Sequence, residues 1–574
     1  SLIKGEASFV LGKSTFITAR GGFAGNEFSL DPKGGKNTQV FLDTNGVFHN
    51  SFYYFKTDRP QRTLLADGNW FRGRHEVKFG ASFRHVEETD SSGFGGQALN
   101  VELEPGSDLL LSILYRPWTQ RIEGNYIGSY IGDTISLGRL TTHLALRYDR
   151  TSNSALETPV EAQPLIPDVL PAFTAPAIPD AITWNNVSPR VGVVYALDKN
   201  ARTVVRASYA AFASQLGVQE AALASAATYA YVYYLAFDAN HNKSVEDSEL
   251  LQDPGPLGAV GVDLSNPTST VSVNRIDPNL SSPRTHEIVV GMDHELAGQI
   301  LLSGSFTWRR VNNAMWSPFV DVRREDYVQD GVVTGSTPET GAYSVPYYAL
   351  KSSAVPTGGG TERTNRDGYH RRFTGFDLSA TKRLSNRWMA RVAFTYNDER
   401  EYFDNPDTAI SDPTPTPISP LRDGGVVVRD TTSISKAQFY MIAPRYQFVA
   451  NGLWEGPYAI NFAASLLSRQ GFGMPYFAVA NTNDPLRPQK NVLVIDDIDK
   501  NRLDAVTTLD LRLEKGIQLG RINALFDVDI FNVANVSTPL RRQYNVGATG
   551  SKGFNTVLEI VNPRIVRLGL RLKF

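Results

Sequence analysis

Short segments in which apolar and polar residues alternate recur along this chain, and the clearest of them ends it. One side of the last segment is apolar and consists of Val566, Leu568, Leu570, Leu572 and Phe574. The other side is mostly charged and consists of Arg567, Gly569, Arg571 and Lys573. Successive side chains of a β-strand point to opposite faces, so this pattern predicts a strand with one apolar and one polar face. Residues 509–514 and 522–530 repeat the pattern.

Two architectures explain such strands. A soluble antiparallel sheet turns its apolar face to a core, whereas a transmembrane barrel turns it to lipid and keeps its polar face in a wet lumen. Strands of about ten residues suit the barrel, because a tilted strand needs about 9–11 residues to cross the hydrocarbon.

The pattern recurs in hairpins throughout the sequence and predicts about 17 strands. Short turns rich in Gly, Asn, Asp and Ser join their members in pairs, as in β-hairpins. The predicted strands are 3–12, 15–25, 63–71, 75–85, 126–137, 140–150, 188–197, 202–213, 286–296, 300–310, 373–384, 388–398, 443–454, 458–470, 507–516, 522–530 and 563–574. Residues 36–57 are ambiguous and could hold two more.

Long connections alternate strictly with these short turns. They are aperiodic and rich in Pro, Gly, Asn and Asp: 87–125, 151–186, 214–284, 311–370, 399–440, 471–504 and 534–562. In an antiparallel meander this alternation places every long connection at one rim, which is the layout of outer-membrane barrels. A soluble β-sandwich or a propeller is the alternative, but no repeat of propeller-blade length is present.

The number of strands adds an expectation about the termini. An antiparallel barrel that closes on its first and last strands needs an even number. Since 17 is odd, we expect an odd number of N-terminal strands to lie outside this chain.

Composition narrows the class further. Hydrophobic residues make up 41% of the 574, yet no run of about 18 apolar residues exists, which argues against transmembrane helices. Phe (30) and Tyr (24) are abundant enough for aromatic girdles at two membrane interfaces. The absence of Cys excludes disulfides and thiolate chemistry, and a net charge of −2 gives no electrostatic case for nucleic acid. Because Ser1 begins without a signal peptide, we expect a mature chain or a fragment.

Eight stretches in matching order and spacing carry a family resemblance: HEVKFG (75–80), LRYDR (146–150), SPRVGVVY (188–195), THEIVVGMDHEL (285–296), TGFDLSATKRLSNRW (374–388), LDLRLEKG (509–516), FDVDIFNVANVST (526–538) and NPRIVRLGLRLKF (562–574). In them the chain resembles a TonB-dependent receptor, specifically the Oar-like barrels that carry an N-terminal carboxypeptidase-regulatory-like domain.

The resemblance implies a 22-stranded barrel in the cell outer membrane, filled by a plug and coupled through a TonB box to the inner-membrane proton gradient. Neither plug nor TonB box is found here, so residues 1–574 are expected to be the C-terminal part of the barrel domain, beginning at strand six. The expected partners are outer-membrane lipid, the TonB complex through the plug, an unknown external substrate and the barrel-assembly machinery. Phe574, ending an alternating strand, resembles the signal that this machinery reads.

The sharpest local motif is a candidate calcium loop in residues 238–249. Oxygen-bearing residues stand at positions 1, 3, 5, 7, 9 and 12, the spacing of an EF-hand loop: Asp238, Asn240, Asn242, Ser244, Glu246 and Glu249. We expect a structural Ca²⁺ that orders an external loop. Lys243 departs from the motif, which needs Gly for a left-handed turn, and costs about 1 kcal/mol of backbone strain. The alternative is a polar loop that binds nothing.

Catalytic patterns are missing. The eight His are dispersed, and no HExxH, G-x-S-x-G or P-loop is present, so we expect no enzyme. Asp527 and Asp529 indicate a solvated lumen face. A lattice of lumenal ion pairs is expected from Asp510, Arg512 and Glu514 with Arg567, Arg571 and Lys573.

The sequence therefore favours the barrel portion of an active importer of a scarce nutrient such as a siderophore, glycan or peptide. Two alternatives stay open: an outer-membrane structural, secretion or adhesion barrel, and a membrane-embedded hydrolase.

Overall fold

One large antiparallel sheet organises the molecule. The computed structural model describes residues 1–50, 53–430, 440–441 and 443–574. The sheet holds 20 strands, and 17 of them form a continuous wall. These wall strands are β1 (Leu2–Leu11), β2 (Thr15–Ala24), β3 (Gln61–Arg72), β4 (His75–Phe94), β5 (Trp118–Leu137), β6 (Leu140–Ala155), β7 (Ile178–Ala196), β8 (Thr203–Ala213), β9 (Arg284–Leu296), β10 (Ile300–Asn312), β11 (Tyr369–Ser385), β12 (Trp388–Phe403), β13 (Tyr446–Glu455), β14 (Ile460–Arg469), β15 (Val506–Leu519), β16 (Ile522–Phe531) and β17 (Ile565–Lys573).

Each wall strand pairs with the next one along the chain, from β1 with β2 to β16 with β17. The predicted number of strands and their antiparallel meander are thus confirmed. Many strands are longer than the alternating segments predicted from the sequence: β4 and β5 have 20 residues each. The excess lies at the end where the long connections begin.

The connections alternate as predicted. Tight turns such as Gly12–Ser14 and Gly138–Arg139 join the odd-numbered strands to the even-numbered strands that follow. Glycines at positive φ occupy several of them, including Gly12 (66°) and Gly138 (66°), a conformation that glycine reaches without strain. All long connections consequently leave from one rim of the wall, which we call the long-loop rim. The opposite rim, which carries the tight turns, is the tight-turn rim.

The two edge strands, β1 and β17, each have one partner in the described chain, β2 and β16. Both run from the long-loop rim to the tight-turn rim, so they are parallel to each other. Direct pairing between them would break the antiparallel pattern of the wall.

The wall exposes its apolar face. Ile131, Leu378 and Leu568 have exposed fractions of 57%, 54% and 77%, whereas Asp529 on the opposite face is 4% exposed. A soluble sandwich would cover these apolar side chains with a second sheet. The exposed apolar face is the surface that a membrane barrel presents to lipid.

The long connections pack together into what we call the loop cap: the described residues of 25–60, 95–117, 156–177, 214–283, 313–368, 404–445, 470–505 and 532–564. No periodicity in the sequence indicated regular structure there, yet the cap contains many short strands. They are Glu27–Leu30, Val40–Leu42, Phe48–His49, Tyr53–Asp58, Ala98–Glu102, Leu109–Tyr115, Thr158–Val160, Phe173–Ala175, Tyr231–Phe237, Gly258–Val260, Arg275–Ile276, Met315–Trp316, Tyr327–Thr337, Gly341–Leu350, Glu362–Asn365, Gly425–Val426, Arg429–Asp430, Tyr440–Met441, Phe477–Asn481, Gln489–Leu493, Pro539–Arg542 and Val557–Ile560.

Helices are few and short. The α-helix Pro406–Ala409 is accompanied by 3₁₀ turns at Gly95–Gln97, Val218–Ala224, Asp247–Glu249, Arg324–Asp326, Ser352–Ala354, Thr357–Gly359, Pro457–Ala459, Ile498–Lys500 and Gly550–Lys552. Within the described ranges, no helix is long and apolar enough to cross a bilayer.

Region 36–57 contributes a small hairpin and part of a third strand to the cap. Val40–Leu42 pairs with Phe48–His49, and Tyr53–Asp58 pairs with the last residues of β4. Residues 51–52 lie outside the described part. The two additional strands that the sequence allowed here therefore lie in the cap and are not full-length wall strands.

Candidate functional site

Charged side chains on the polar face of the last three wall strands form an ion-pair lattice. The Arg512 guanidinium lies 3.1 Å from Asp527, 3.3 Å from Glu514 and 3.6 Å from Asp529. Arg567 Nε donates to Asp529 Oδ2 at 2.9 Å. Of the six residues predicted for the lattice, only Arg512, Glu514 and Arg567 take part in it, and its centre is formed by Asp527 and Asp529.

The lattice differs from the prediction in its membership. Asp527 and Asp529 are only 8% and 4% exposed, so they are ion-paired rather than part of a solvated face. Asp510 accepts a hydrogen bond from the Asn532 backbone at 2.8 Å. Arg571 and Lys573 have no ion pair with any described residue, because the residues opposite them on β16, Leu525 and Asn523, carry no carboxylate.

The loop cap contains a cavity of about 600 Å³, which we call the cap cavity. Three long connections line it, those between β10 and β11, β12 and β13, and β14 and β15. Its aromatic walls include Trp316, Phe319 and Tyr327, and its charged residues include Arg366 and Lys490. This volume falls within the range of small-molecule sites, roughly 300–1,000 Å³.

Arg366 is held among aromatic rings at the cap cavity. Its Cζ lies 5.2 Å from the Trp316 ring centroid and 4.4 Å from that of Tyr369, and its Nε donates to the Ala409 carbonyl at 2.7 Å. Burial lowers the pKa of this guanidinium below its usual value. Stacking on π-faces fixes the plane of the guanidinium and leaves its edge available for hydrogen bonds.

Lys490 forms a buried ionic centre beside Arg366. Its Nζ lies 2.8 Å from Asp412 and 2.9 Å from Asp484, and it donates to the Tyr348 carbonyl at 2.6 Å. The side chain is only 4% exposed, so this network ties three long connections together at the cavity wall. Burial also raises the pKa of Tyr327, which stays a neutral hydroxyl.

The candidate calcium loop is an ordered turn in the cap. Lys243 has a φ of 60°, the left-handed conformation that the motif requires at this position. Asp238 Oδ1 and Oδ2 accept hydrogen bonds from the backbone N–H groups of Asn242 and Lys243 at 3.0 and 2.9 Å. Asn240 and Asn242 accept further backbone N–H groups, from Asn242 and Ser244.

The oxygens of this loop face backbone donors and a lysine. Glu249 accepts from the N–H groups of Ala239 and Glu246, at 2.9 and 3.0 Å. Asn240 Nδ2 donates to Glu246 at 3.2 Å, and Lys243 Nζ lies 3.7 Å from Asp238. No group of three or more His, Asp or Glu among the described residues could hold a metal ion. The three carboxylates of the motif therefore do not form such a group, and calcium binding stays a prediction.

Phe574 lies just past β17 and is 94% exposed, as a residue read by another protein would be. Its role in barrel assembly stays a prediction.

Sequence reasoning missed the cap cavity. Trp316 and Arg366 come from the connection between β10 and β11, and Lys490 comes from the connection between β14 and β15, with no shared motif. No local signal pointed to the cavity, because Arg366 lies between Arg363 and Asp367 in a charged stretch and Lys490 follows Arg487 by three positions.

Comparison with known families identifies the protein family of this chain. Residues 7–455 match the family described as "Outer membrane beta barrel domain". The chain belongs to this family. The protein is therefore an outer-membrane β-barrel protein, located in the cell outer membrane, and its apolar face contacts lipid. The resemblance to TonB-dependent receptors is confirmed at the level of the barrel, whereas the Oar-like subtype stays a prediction.

One solved structure supports the barrel fold, and a second is similar to a lesser degree. The outer membrane transporter YddB from Escherichia coli is similar with a TM-score of 0.54 and 11% identity, covering 98% of this chain and 61% of that one. The siderophore receptor PiuA from Acinetobacter baumannii is similar with a TM-score of 0.47 and 12% identity, covering 99% and 63%. This outer-membrane barrel chain thus spans about three fifths of the length of YddB. No curated protein matches it.

Proposed function

We propose that this chain forms most of the wall and the external loops of a TonB-dependent active importer of a scarce nutrient. The observation that carries the proposal is the combination of an apolar-outside wall with a packed loop cap at one rim, enclosing a cavity of about 600 Å³. A barrel with only a structural role needs no such cavity.

In this proposal, the cap cavity makes the first contact with the nutrient. Trp316 and Phe319 supply flat apolar surface, while Arg366 supplies donors on a guanidinium fixed by stacking. Such a combination binds small molecules, since aromatic surface gives affinity and a few fixed polar groups give orientation. YddB is an outer membrane transporter, which supports an importer and leaves the nutrient open.

Two further parts belong to the proposal and lie outside this chain. An odd number of strands between β17 and β1 would close the wall, because the two edges run parallel. A plug with a TonB box would gate the lumen and couple passage to the proton gradient. The lattice around Asp527 and Asp529 would face that plug.

The test is uptake by cells that express the full-length gene as their only candidate importer. Growth is measured on limiting siderophore-bound iron, glycans and peptides in turn. We expect one nutrient to rescue growth, and we expect the rescue to disappear when TonB is deleted.

Trp316→Ala should weaken this uptake while leaving the amount of protein in the outer membrane unchanged. Trp454→Ala, which removes a 50%-exposed tryptophan on the wall next to a tight turn, is the matched control. Growth that never depends on TonB would contradict active import and favour a structural, secretion or adhesion barrel. Hydrolysis of lipid or protein by the purified chain would instead indicate the embedded hydrolase.

A further inference from the structure

A second cavity in the loop cap, of about 310 Å³, contains a buried arginine without a carboxylate partner. Arg116 is 3% exposed and directly follows the cap strand Leu109–Tyr115. In the described part of the chain, the one hydrogen-bond acceptor for its guanidinium is the Pro267 carbonyl, 3.0 Å from Nη2. Arg116 Nε is buried without any partner.

Arg116 thus differs from the ion-paired cations of this protein. Arg512, Arg567 and Lys490 each face at least one carboxylate. A guanidinium has five donors and stays charged, so burying it without an anion is costly. Removal from water alone lowers the pKa of Arg116 to about 10. The Phe173 ring, 5.1 Å from Cζ, offsets part of this cost and no more.

The cavity around Arg116 is built by four separate long connections rather than left by loose packing. Gly261 N donates to the Gly358 carbonyl at 3.0 Å, which joins two of these connections. A Cβ on Gly261 would lie 1.9 Å from the Tyr229 carbonyl, and one on Gly360 would lie 2.0 Å from that of Val273. Backbones that approach so closely hold the walls in place.

The remaining lining mixes neutral polar residues with apolar ones such as Val262 and Val273. Thr228, Asn266, Ser269 and Ser272 line the cavity, and side chains of these types can donate hydrogen bonds. Asp263 also lines it, but its carboxylate accepts from the backbone and hydroxyl of Ser265 at 2.9 and 2.6 Å. Asp263 has no ion pair with any described residue, so it does not neutralise Arg116.

We propose that this cavity binds a small molecule through an anionic carboxylate or phosphate group, with Arg116 as the charged contact. Such a group would supply the missing acceptors for Nε and neutralise the buried charge. The guanidinium of arginine can donate to two oxygens of either group at once. The inference does not depend on import, because it concerns binding by the chain itself.

Calorimetric titration of the purified chain in detergent micelles tests the proposal. Inorganic phosphate and succinate are used as separate probes, which distinguishes the two anionic groups. We expect saturable binding of at least one probe, and at least about tenfold weaker binding by Arg116→Met, since a hydrogen bond to a charged group is worth about 1.5–3 kcal/mol. Arg275→Gln is the matched control, because it removes an ion-paired arginine from the same cap, and it should bind within about twofold of the parent.

A second variant keeps the test decisive if Arg116→Met fails to fold. Asn266→Asp places a carboxylate on the residue before Pro267, whose carbonyl Arg116 contacts. It should abolish probe binding and raise the melting temperature, because the protein then carries its own counter-charge. The proposal is overturned if neither probe binds the parent chain, or if Asn266→Asp binds as tightly as the parent. An importer that works without any anion binding here would leave the proposed function standing.

Discussion

The wall and the loop cap use apolar side chains in opposite ways. Leu378 in the middle of β11 is 54% exposed, whereas Leu110 in the cap is fully buried among Tyr234, Val232 and Leu114. The cap is a water-soluble structure with an ordinary hydrophobic core. The wall has no such core of its own, since lipid takes the place of one. Whether a leucine is buried or exposed can therefore be predicted only when the solvent around that part of the molecule, water or lipid, is known.

Truncating a core leucine of the cap should have the largest effect. Leu110→Ala should cost about 2–5 kcal/mol of local stability, because it removes buried contacts and leaves a cavity. Hydrogen exchange of Leu109–Tyr115 and its partner strand Tyr231–Phe237 would report the loss. Leu64→Ala, at a 61%-exposed position on β3, is the control, and its effect should be far smaller. Equal effects at both positions would erase the contrast between wall and cap.

Placing a charge on the lipid-facing side of the wall should have the second-largest effect on stability. Leu378→Arg should destabilise the chain in lipid vesicles by about 2–4 kcal/mol, the cost of arginine near the bilayer midplane. Leu257→Arg is matched in exposure, at 49%, but lies in the cap and should change stability by about 0.5 kcal/mol or less. Denaturant unfolding from vesicles measures both. A harmless Leu378→Arg would mean that β11 does not face lipid.

Removing a charge from the ion-pair lattice on the polar face should have a smaller effect on stability. Asp529→Asn removes the charge that faces both Arg512 and Arg567, and we expect a loss of about 1–3 kcal/mol in the same unfolding assay. Asp510→Asn is the control, since Asp510 accepts only a backbone hydrogen bond there. An unchanged unfolding midpoint for Asp529→Asn would show that the lattice is solvated after all.

Calcium should give the smallest effect. With a dissociation constant of about 0.1–1 mM, as in extracellular modules, about 1 mM Ca²⁺ would stabilise the loop by about 0.4–1.4 kcal/mol. Glu249→Gln should abolish the calcium-dependent shift in melting temperature. Asp247→Asn, an acid of the same loop outside the ligand positions, should preserve it. No heat on titrating Ca²⁺ into the parent chain would show that Lys243 serves as the cation of this loop.

Alternation and turn chemistry were enough to predict all 17 wall strands, because a strand between lipid and water must alternate and a tight hairpin needs particular residues. The cap was not predictable in this way. Leu109–Tyr115 pairs with Tyr231–Phe237 across more than 100 positions, and such pairing leaves no local period. Asp527 and Asp529 show the same limit of sequence-based prediction. Alternation predicted that both lie on the polar face, but their ion pairs with Arg512 depended on the register between strands.

By itself, the sequence determined the class of architecture, the direction of each strand and the rim that carries the long connections. These are local consequences of side-chain period and turn composition. Only the tertiary structure decided that Arg366 and Lys490 share a cavity and that Arg116 is buried without a counter-charge. Those facts arise where three or four connections meet, and contacts between distant segments are set by packing rather than by neighbouring residues.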